Sequence, residues 1–163
     1  MPIKNYTTEV SAMKSIGQIE GNLVAHGARA IMVDYGADKG PVSLSFFVPT
    51  PQGELPFRLP ANVPAVANLL IKQLASSNYR QWDNAYQQEK RKKMENQASR
   101  VAWRIIKDWV DAQMAIIETE MVTLDQVFLP YMTTKTGKTL YQVMVSQGFY
   151  LTEGKGKDGD EKG

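Results

Sequence analysis

The sequence predicts an α+β fold: a small, mostly antiparallel sheet with one helix, in the order β-α-β-β-β, precedes a helical half built on one long helix. Several stretches near the N-terminus alternate apolar and polar residues between glycines and prolines. From about Trp82 to Glu120 there is neither glycine nor proline, and helix formers dominate. We therefore expect an N-terminal lobe at 1–75 and a helical lobe at 76–152 in one compact domain, followed by a disordered tail at 153–163.

The N-terminal lobe begins with a short predicted strand at 5–10 and then a helix. Ser11 suits the N-cap, because a serine hydroxyl accepts a hydrogen bond from a free amide of the first turn. Gly27 suits the left-handed position that ends a helix. Strands are predicted next in "ARAIMVDYG" and "VSLSFFVPT". The second strand is expected to turn one face into the core, formed by Val42, Leu44, Phe46 and Val48.

A third strand and a second helix complete this lobe. The turn "PQG" at 51–53 precedes a run in which Leu55, Phe57 and Leu59 repeat the period of two. Proline cannot donate a ladder hydrogen bond, so the prolines of this region predict a strand at a sheet edge or bulge. Asn62 is expected to cap the following helix. Its predicted first turn contains Pro64, and its predicted buried residues are Val66, Leu69, Leu70 and Leu74.

The long helix is the main feature of the second half. At about 1.5 Å per residue it would exceed roughly 50 Å, longer than a compact domain of this size. It must either protrude or break near 76–85 and again after Ala115, and we expect its polar N-terminal half, "NAYQQEKRKKMENQ", to protrude. The later half carries two apolar stripes that we expect to be buried. These are Ala98, Val101, Ala102, Ile105, Trp109, Ala112 and Ile116, and Trp103, Ile106, Val110 and Ile117.

Two short helices are predicted after the long one. Thr123 and Gln126 have the spacing of a capping box, in a helix that Pro130 disturbs. "KTLYQVMVSQG" predicts a last helix that Gly148 ends. Leu140, Val143 and Met144 are expected to point inward from it.

Composition excludes several classes of chemistry. The chain has no cysteine, which excludes disulfides, thiolate zinc sites and cysteine nucleophiles. Its net charge of +2 produces no global field toward nucleic acid or membrane. It has no apolar N-terminal segment of signal-peptide type and no run of 18 apolar residues. We expect a soluble, cytoplasmic protein without membrane contact.

The candidate catalytic and metal-binding motifs each have a structural alternative. "TTKTGKTLYQ" ends like a phosphate-binding loop, but Met132 occupies the position where such a loop needs glycine, so Gly137 is interpreted as a loop residue. His26 is interpreted as a histidine that bonds free carbonyls at a helix end. Four acidic residues lie along the long helix: Asp108, Asp111, Glu118 and Glu120. Asp108 and Asp111 are one turn apart beside Arg104 and Lys107, a spacing that is interpreted as ordinary surface ion pairs. We expect a non-enzymatic protein without cofactor or metal.

Basic residues are concentrated on the long helix. Residues 80–107 hold eight basic residues against three acidic ones, a local net charge of +5 that leaves −3 for the rest of the chain. Several of them share one helix face that runs about 21 Å between Lys93 and Lys107, enough to follow several phosphates, and aromatic rings at its start could stack bases of a single strand. The predicted nucleic-acid-binding residues are Trp82, Tyr86, Lys90, Arg91, Lys93, Gln97, Arg100, Arg104 and Lys107.

Two other interpretations of this helix stay open. A helix with a core face must also have a polar face, and lysine and arginine keep that face soluble. Alternatively, its apolar face forms a protein-protein, inhibitor or homo-oligomeric interface, to which methionines such as Met94 and Met114 would add adaptable packing. Salt distinguishes these functions, because binding to phosphates weakens steeply with ionic strength and apolar binding does not.

Several stretches also resemble a family of small uncharacterised proteins from phages and bacterial mobile elements. They are "HGARAIMVDYG", "LSFFVPTPQGELPFRLPANV", "RVAWRIIKDWVDAQMAIIE" and "VFLPYM", and the resemblance covers most of residues 6–150. It implies no activity and no site residues. It implies a context, that of an accessory protein in phage or element DNA metabolism or in counter-defence.

Overall fold

The computed structural model describes residues 2–76 and 81–148. The predicted α+β class is confirmed, because a three-stranded antiparallel sheet is combined with helices, one of them 35 residues long. The predicted tail at 153–163 lies outside the described residues. In chain order the elements are α1 (Ala12–Ala25), β1 (Ala30–Tyr35), β2 (Pro41–Thr50), β3 (Gly53–Pro60), α2 (Val63–Ala75), α3 (Asn84–Glu118), α4 (Leu124–Phe128), a 3₁₀ turn (Leu129–Tyr131) and α5 (Leu140–Gln147).

The sheet has the order β1-β2-β3, so the predicted edge position of β3 is confirmed.

The predicted strand at 5–10 is wrong, because the chain there makes turns, with Asn5 in a left-handed conformation at φ 62°. Backbone groups at and just before this stretch bond to helix side chains instead of a strand. The amide of Ile3 donates to Oε1 of Gln73 at 3.4 Å, and Nε2 of Gln97 donates to the carbonyl of Thr8 at 2.6 Å.

The main core lies between one face of the sheet and α1, α3 and α4. Phe46 of β2 stacks on Phe57 of β3 with ring centroids 5.1 Å apart, and Phe128 of α4 meets Phe46 edge-on at 5.6 Å. Trp103 of α3 is fully buried, and its indole Nε1 donates to the carbonyl of Pro41 at 3.1 Å. The predicted inward alternation of β2 holds at Leu44 and Phe46, whereas Val42, near the strand end, is exposed.

A second, smaller core joins α2 to α3, with Leu70, Ala98 and Val101 at its centre. The predicted burial of Leu69 is wrong, since its side chain points away from this contact and is 46% exposed. The predicted burial of Ala112 and Ile116 is also wrong. Because α2 has only 13 residues and packs near Met94 to Ile105, the same side of α3 faces solvent further along the helix.

The helix ends follow the capping rules. Ser11 and Asn62 accept amide hydrogen bonds as the predicted N-caps of α1 and α2. The capping box of Thr123 and Gln126 is present. Asp83 caps α3 and accepts from the amide of Tyr86 at 2.8 Å. Local capping therefore positions the start of the long helix.

The C-terminal part follows its prediction except at one residue. The predicted loop glycine at 137 and the helix-ending glycine at 148 both have positive φ. The predicted inward position of Met144 is wrong, since α5 is a peripheral helix on the sheet edge and this side chain is 41% exposed. Within the described ranges, no helix combines the length and apolar character that crossing a bilayer requires.

Candidate nucleic-acid interface

Five basic side chains remain accessible on the N-terminal half of α3, and we call them the basic patch: Lys90, Arg91, Lys92, Lys93 and Arg100. All are exposed except Lys90, which is half-buried. The side chains of α3 before Met94 are exposed or half-buried, as its polar sequence predicted, because packing against α2 begins only at that residue. The patch therefore lies on the part of the helix that the cores leave open.

Few carboxylates neutralise the basic patch. Nζ of Lys93 lies 3.6 Å from Oε1 of Glu89, an exposed pair that contributes little and is screened by salt. Within the described part of the chain, Arg91, Lys92 and Arg100 have no carboxylate oxygen within 4.0 Å. Nη1 of Arg100 donates to the neutral amide Oε1 of Gln97, at 3.4 Å. The positive charge of this region is therefore available to an external anion.

Two aromatic residues lie at the start of the patch, where the sequence predicted a stacking surface. The rings of Trp82 and Tyr86 meet edge-on with centroids 4.8 Å apart. Nζ of Lys90 lies 5.1 Å from the centroid of the Tyr86 ring, a cation–π geometry. Tyr86 is 39% exposed and Trp82 is half-buried. These rings offer a partly open aromatic edge beside the cationic groups.

The structure divides the continuous 21 Å face that the sequence predicted. Nε2 of Gln97 is bound to the carbonyls of Tyr6 at 3.3 Å and Thr8 at 2.6 Å. Nη1 of Arg104 donates to Oε1 of Gln18 on α1 at 2.7 Å. These contacts tie the middle of the predicted face to the N-terminal segment, residues 3–8, and to α1, so a polyanion could not follow it along its whole length.

Lys107, at the end of the predicted face, is also engaged inside the chain. Its Nζ is ion-paired with Asp111 one turn later, and its side chain is 18% exposed. Nδ2 of Asn22 on α1 donates to the same carboxylate at 2.5 Å. Lys107 therefore belongs to the seam between α1 and α3. Helical periodicity placed Gln97, Arg104 and Lys107 on one face correctly, but it contains no information on which other segment covers that face.

Asp108 fixes the N-terminal segment to α3. A hydrogen bond from Nδ2 of Asn5, 2.9 Å from Oδ2 of Asp108, lowers the pKa of this carboxyl. Burial opposes that change, while Lys4, whose Nζ lies 2.9 Å away, and Arg104 reinforce it. The predicted surface pairing of Asp108 with its helix neighbours thus gives way to a contact more than 100 residues distant in sequence. The net effect favours the ionised form and holds residues 3–8 in place.

His26 has the structural role that the sequence predicted, with one additional partner. Its Nδ1 lies 2.7 Å from the carbonyl of Asn22, near the end of α1. Its Nε2 lies 3.0 Å from Oε1 of Glu118, in the last turn of α3. Since both partners are acceptors, both contacts are hydrogen bonds when both ring nitrogens carry protons. His26 therefore links the ends of α1 and α3.

An open groove of about 520 Å³ lies along this seam, and the polar side chains that line it form hydrogen bonds and ion pairs with one another.

Asp34 and Asp38 have local roles, accepting hydrogen bonds from Oγ of Ser43 at 2.7 Å and from the amide of Gly40 at 3.0 Å. In the described ranges, no set of three or more histidine, aspartate or glutamate side chains is placed to hold a metal ion. The basic patch is thus the feature that best indicates a ligand.

Comparison of the chain with protein-family models, with curated proteins and with solved structures gives no match.

Proposed function

We propose that this protein is a non-enzymatic accessory protein that binds nucleic acid through the basic patch of α3. The observation that carries the proposal is the density of accessible cations in the patch, where four of the five basic residues are consecutive. Three of the five, Arg91, Lys92 and Arg100, have no carboxylate partner in the described chain. Phosphates are the natural partners of such a cluster, since each neutralised phosphate releases condensed counterions. Trp82 and Tyr86 supply rings on which bases can stack.

In this mode of binding, most of the binding free energy does not depend on the base sequence. Lysine and arginine contacts to phosphates set position and affinity, and base edges set specificity. The net charge of +2 for the whole chain means that attraction is confined to the patch. The role in phage or mobile-element DNA metabolism is part of the proposal and rests on the sequence resemblance alone.

The alternative of protein binding through the apolar face of α3 has less exposed apolar surface to use than the sequence predicted. Most of the apolar face of α3 packs inside the chain, with Ala98, Val101, Trp103 and Val110 fully buried. A protein partner or second copy would have to use the short exposed part of this face, at Ala112 and Ile116, or another surface. The alternative of a simply solvated helix face needs no ligand at all, and it predicts that the folded protein does not bind nucleic acid.

Fluorescence anisotropy with labelled single-stranded and duplex DNA and RNA tests the proposal, at low and moderate salt. The test variant reverses three patch charges: Arg91→Glu, Lys92→Glu and Arg100→Glu. The matched control reverses three exposed lysines elsewhere: Lys14→Glu, Lys135→Glu and Lys138→Glu. Both variants change the net charge equally, so a global electrostatic effect would weaken them alike.

We expect the patch variant to lose at least about tenfold in affinity at low salt, and the control to lose much less. Circular dichroism verifies that each variant is folded. Equal losses in the two variants, or no binding by the folded natural protein at low salt, would contradict the proposal.

A further inference from the structure

An apolar pocket of about 590 Å³ lies beside the basic patch, between the N-terminal segment, α2 and α3. Its walls are largely apolar, and they include Tyr6, Leu70, Leu74 and Met94. Leu70 is buried at its base, while Tyr6 is 47% exposed at its rim. The pocket therefore combines a closed apolar floor with an accessible aromatic ring.

The rim of this pocket is held in position before any ligand binds. The N-terminal segment is tied to α2 by the hydrogen bond from Ile3 to Gln73 at 3.4 Å, and to α3 by that from Asn5 to Asp108 at 2.9 Å. Nε2 of Gln97 donates a hydrogen bond to the carbonyl of Tyr6 itself, at 3.3 Å. A pocket fixed in this way does not lose entropy by ordering its walls when it binds.

The pocket and the basic patch share α3. Met94, in the pocket wall, follows Lys90 by four residues and Arg91 by three. Residues at these spacings are neighbours on a helix surface, with Cβ atoms about 5–6 Å apart. Two cationic residues therefore lie within one helical turn of the pocket wall at Met94, and Arg91 has no ion-pair partner in the described ranges.

A polar group in the pocket wall has no hydrogen-bond partner among the described residues. Gln73 turns its Oε1 toward the amide of Ile3, and its Nε2 is buried with no partner in the described part of the chain. Such groups are rare in folded proteins. Ring nitrogens and carbonyl oxygens of nucleobases are acceptors for this donor, and a base in the pocket reaches it when the Gln73 side chain turns toward the pocket.

We propose that this pocket takes one unstacked base of a single-stranded nucleic acid, while Arg91 and Lys90 contact the adjoining phosphates. The inference rests on the proposed function and specifies its ligand. Charge complementarity favours this occupant over an apolar peptide, since only the nucleic acid places a planar base and an anion side by side. A duplex keeps its bases stacked and paired, so the pocket confers a preference for single strands.

The test compares a single-stranded DNA oligonucleotide with a duplex of the same length by anisotropy. Tyr6→Ala removes the ring. Gln73→Met removes the amide donor at nearly constant volume, together with the acceptor of the Ile3 amide. Tyr35→Ala is the control, because Tyr35 is a similarly exposed tyrosine (54%) on β1. Circular dichroism establishes that the variants are folded, and Gln73→Met serves as second variant if Tyr6→Ala is not.

We expect the natural protein to bind the single strand at least about tenfold more tightly than the duplex. Tyr6→Ala should weaken single-strand binding by about tenfold, within the range for loss of one base–aromatic stack, and leave its salt dependence unchanged. Gln73→Met should weaken it in the same direction, and Tyr35→Ala should have no effect.

The inference fails, and the proposed function survives, if both strand forms bind equally and both pocket variants behave like the natural protein while the patch variant still loses affinity. Absence of binding to any nucleic acid would overturn both.

Discussion

Two glycines inside α1 provide a quantitative test of how this helix packs. Gly17 and Gly21 lie in the helix interior, where glycine is less favourable than alanine by roughly 0.8–1.0 kcal/mol. Apart from the adjoining backbone of α1, a Cβ atom added at either position would have no heavy atom of the described residues within 4 Å. Alanine therefore gains helix propensity without a clash. We expect Gly17→Ala and Gly21→Ala each to raise the free energy of unfolding by about 1 kcal/mol.

The same substitution at Gly27 is the matched control. Gly27 follows α1 with φ at +104°, a conformation that side chains disfavour. Gly27→Ala should therefore lower the free energy of unfolding by about 1 kcal/mol, the opposite sign for the same chemical change. Urea denaturation measures the free energy of unfolding of all three variants. A loss of stability in Gly17→Ala or Gly21→Ala would refute this description of the outer face of α1.

Two further predictions concern contacts that join distant parts of the chain. Trp103→Phe removes the indole donor to the carbonyl of Pro41 and shortens a fully buried side chain, so we expect about 2–4 kcal/mol lower stability by urea denaturation. A change under about 0.5 kcal/mol would show that the contact is unimportant. Asp108→Asn should lower stability by on the order of 1 kcal/mol at neutral pH, through the charged contacts with Asn5 and Lys4. Because folding lowers the pKa of Asp108 from 3.8, the stabilisation by this carboxylate is present above pH 3.8 and is lost as pH falls through the folded pKa. The free energies of unfolding of the natural protein and the Asp108→Asn variant should therefore converge in acid. A difference that does not depend on pH would contradict this cause.

Much of the fold was predictable because local rules determine it. N-caps at Ser11 and Asn62 and the glycine that ends α5 depend on residues within one helical turn. The hairpin of β2 and β3 follows from alternation and a two-residue turn. Where neighbouring residues determine the local structure, a single sequence is sufficient to predict that structure.

The errors occur where distant residues decide. Residues 5–10 resemble a strand, yet Asn5, Tyr6 and Thr8 form hydrogen bonds with side chains 89 to 103 positions away, which no local pattern indicates. The predicted binding face is divided for the same reason. The run "KRKK" was recognisable from composition, whereas the pocket beside it combines Tyr6, Gln73 and Met94, and no sequence spacing relates these three residues.

The salt dependence of single-strand binding tests the role of the basic patch most directly. Binding constants measured across a range of salt concentrations, for the natural protein and for the Arg91→Glu, Lys92→Glu, Arg100→Glu variant, give the number of phosphates that each contacts. If these three residues contact phosphates, the logarithm of the binding constant should fall linearly with that of salt, with a slope about 2 units shallower in the variant. The same slope and affinity in both folded proteins would contradict the assignment of phosphate binding to the basic patch.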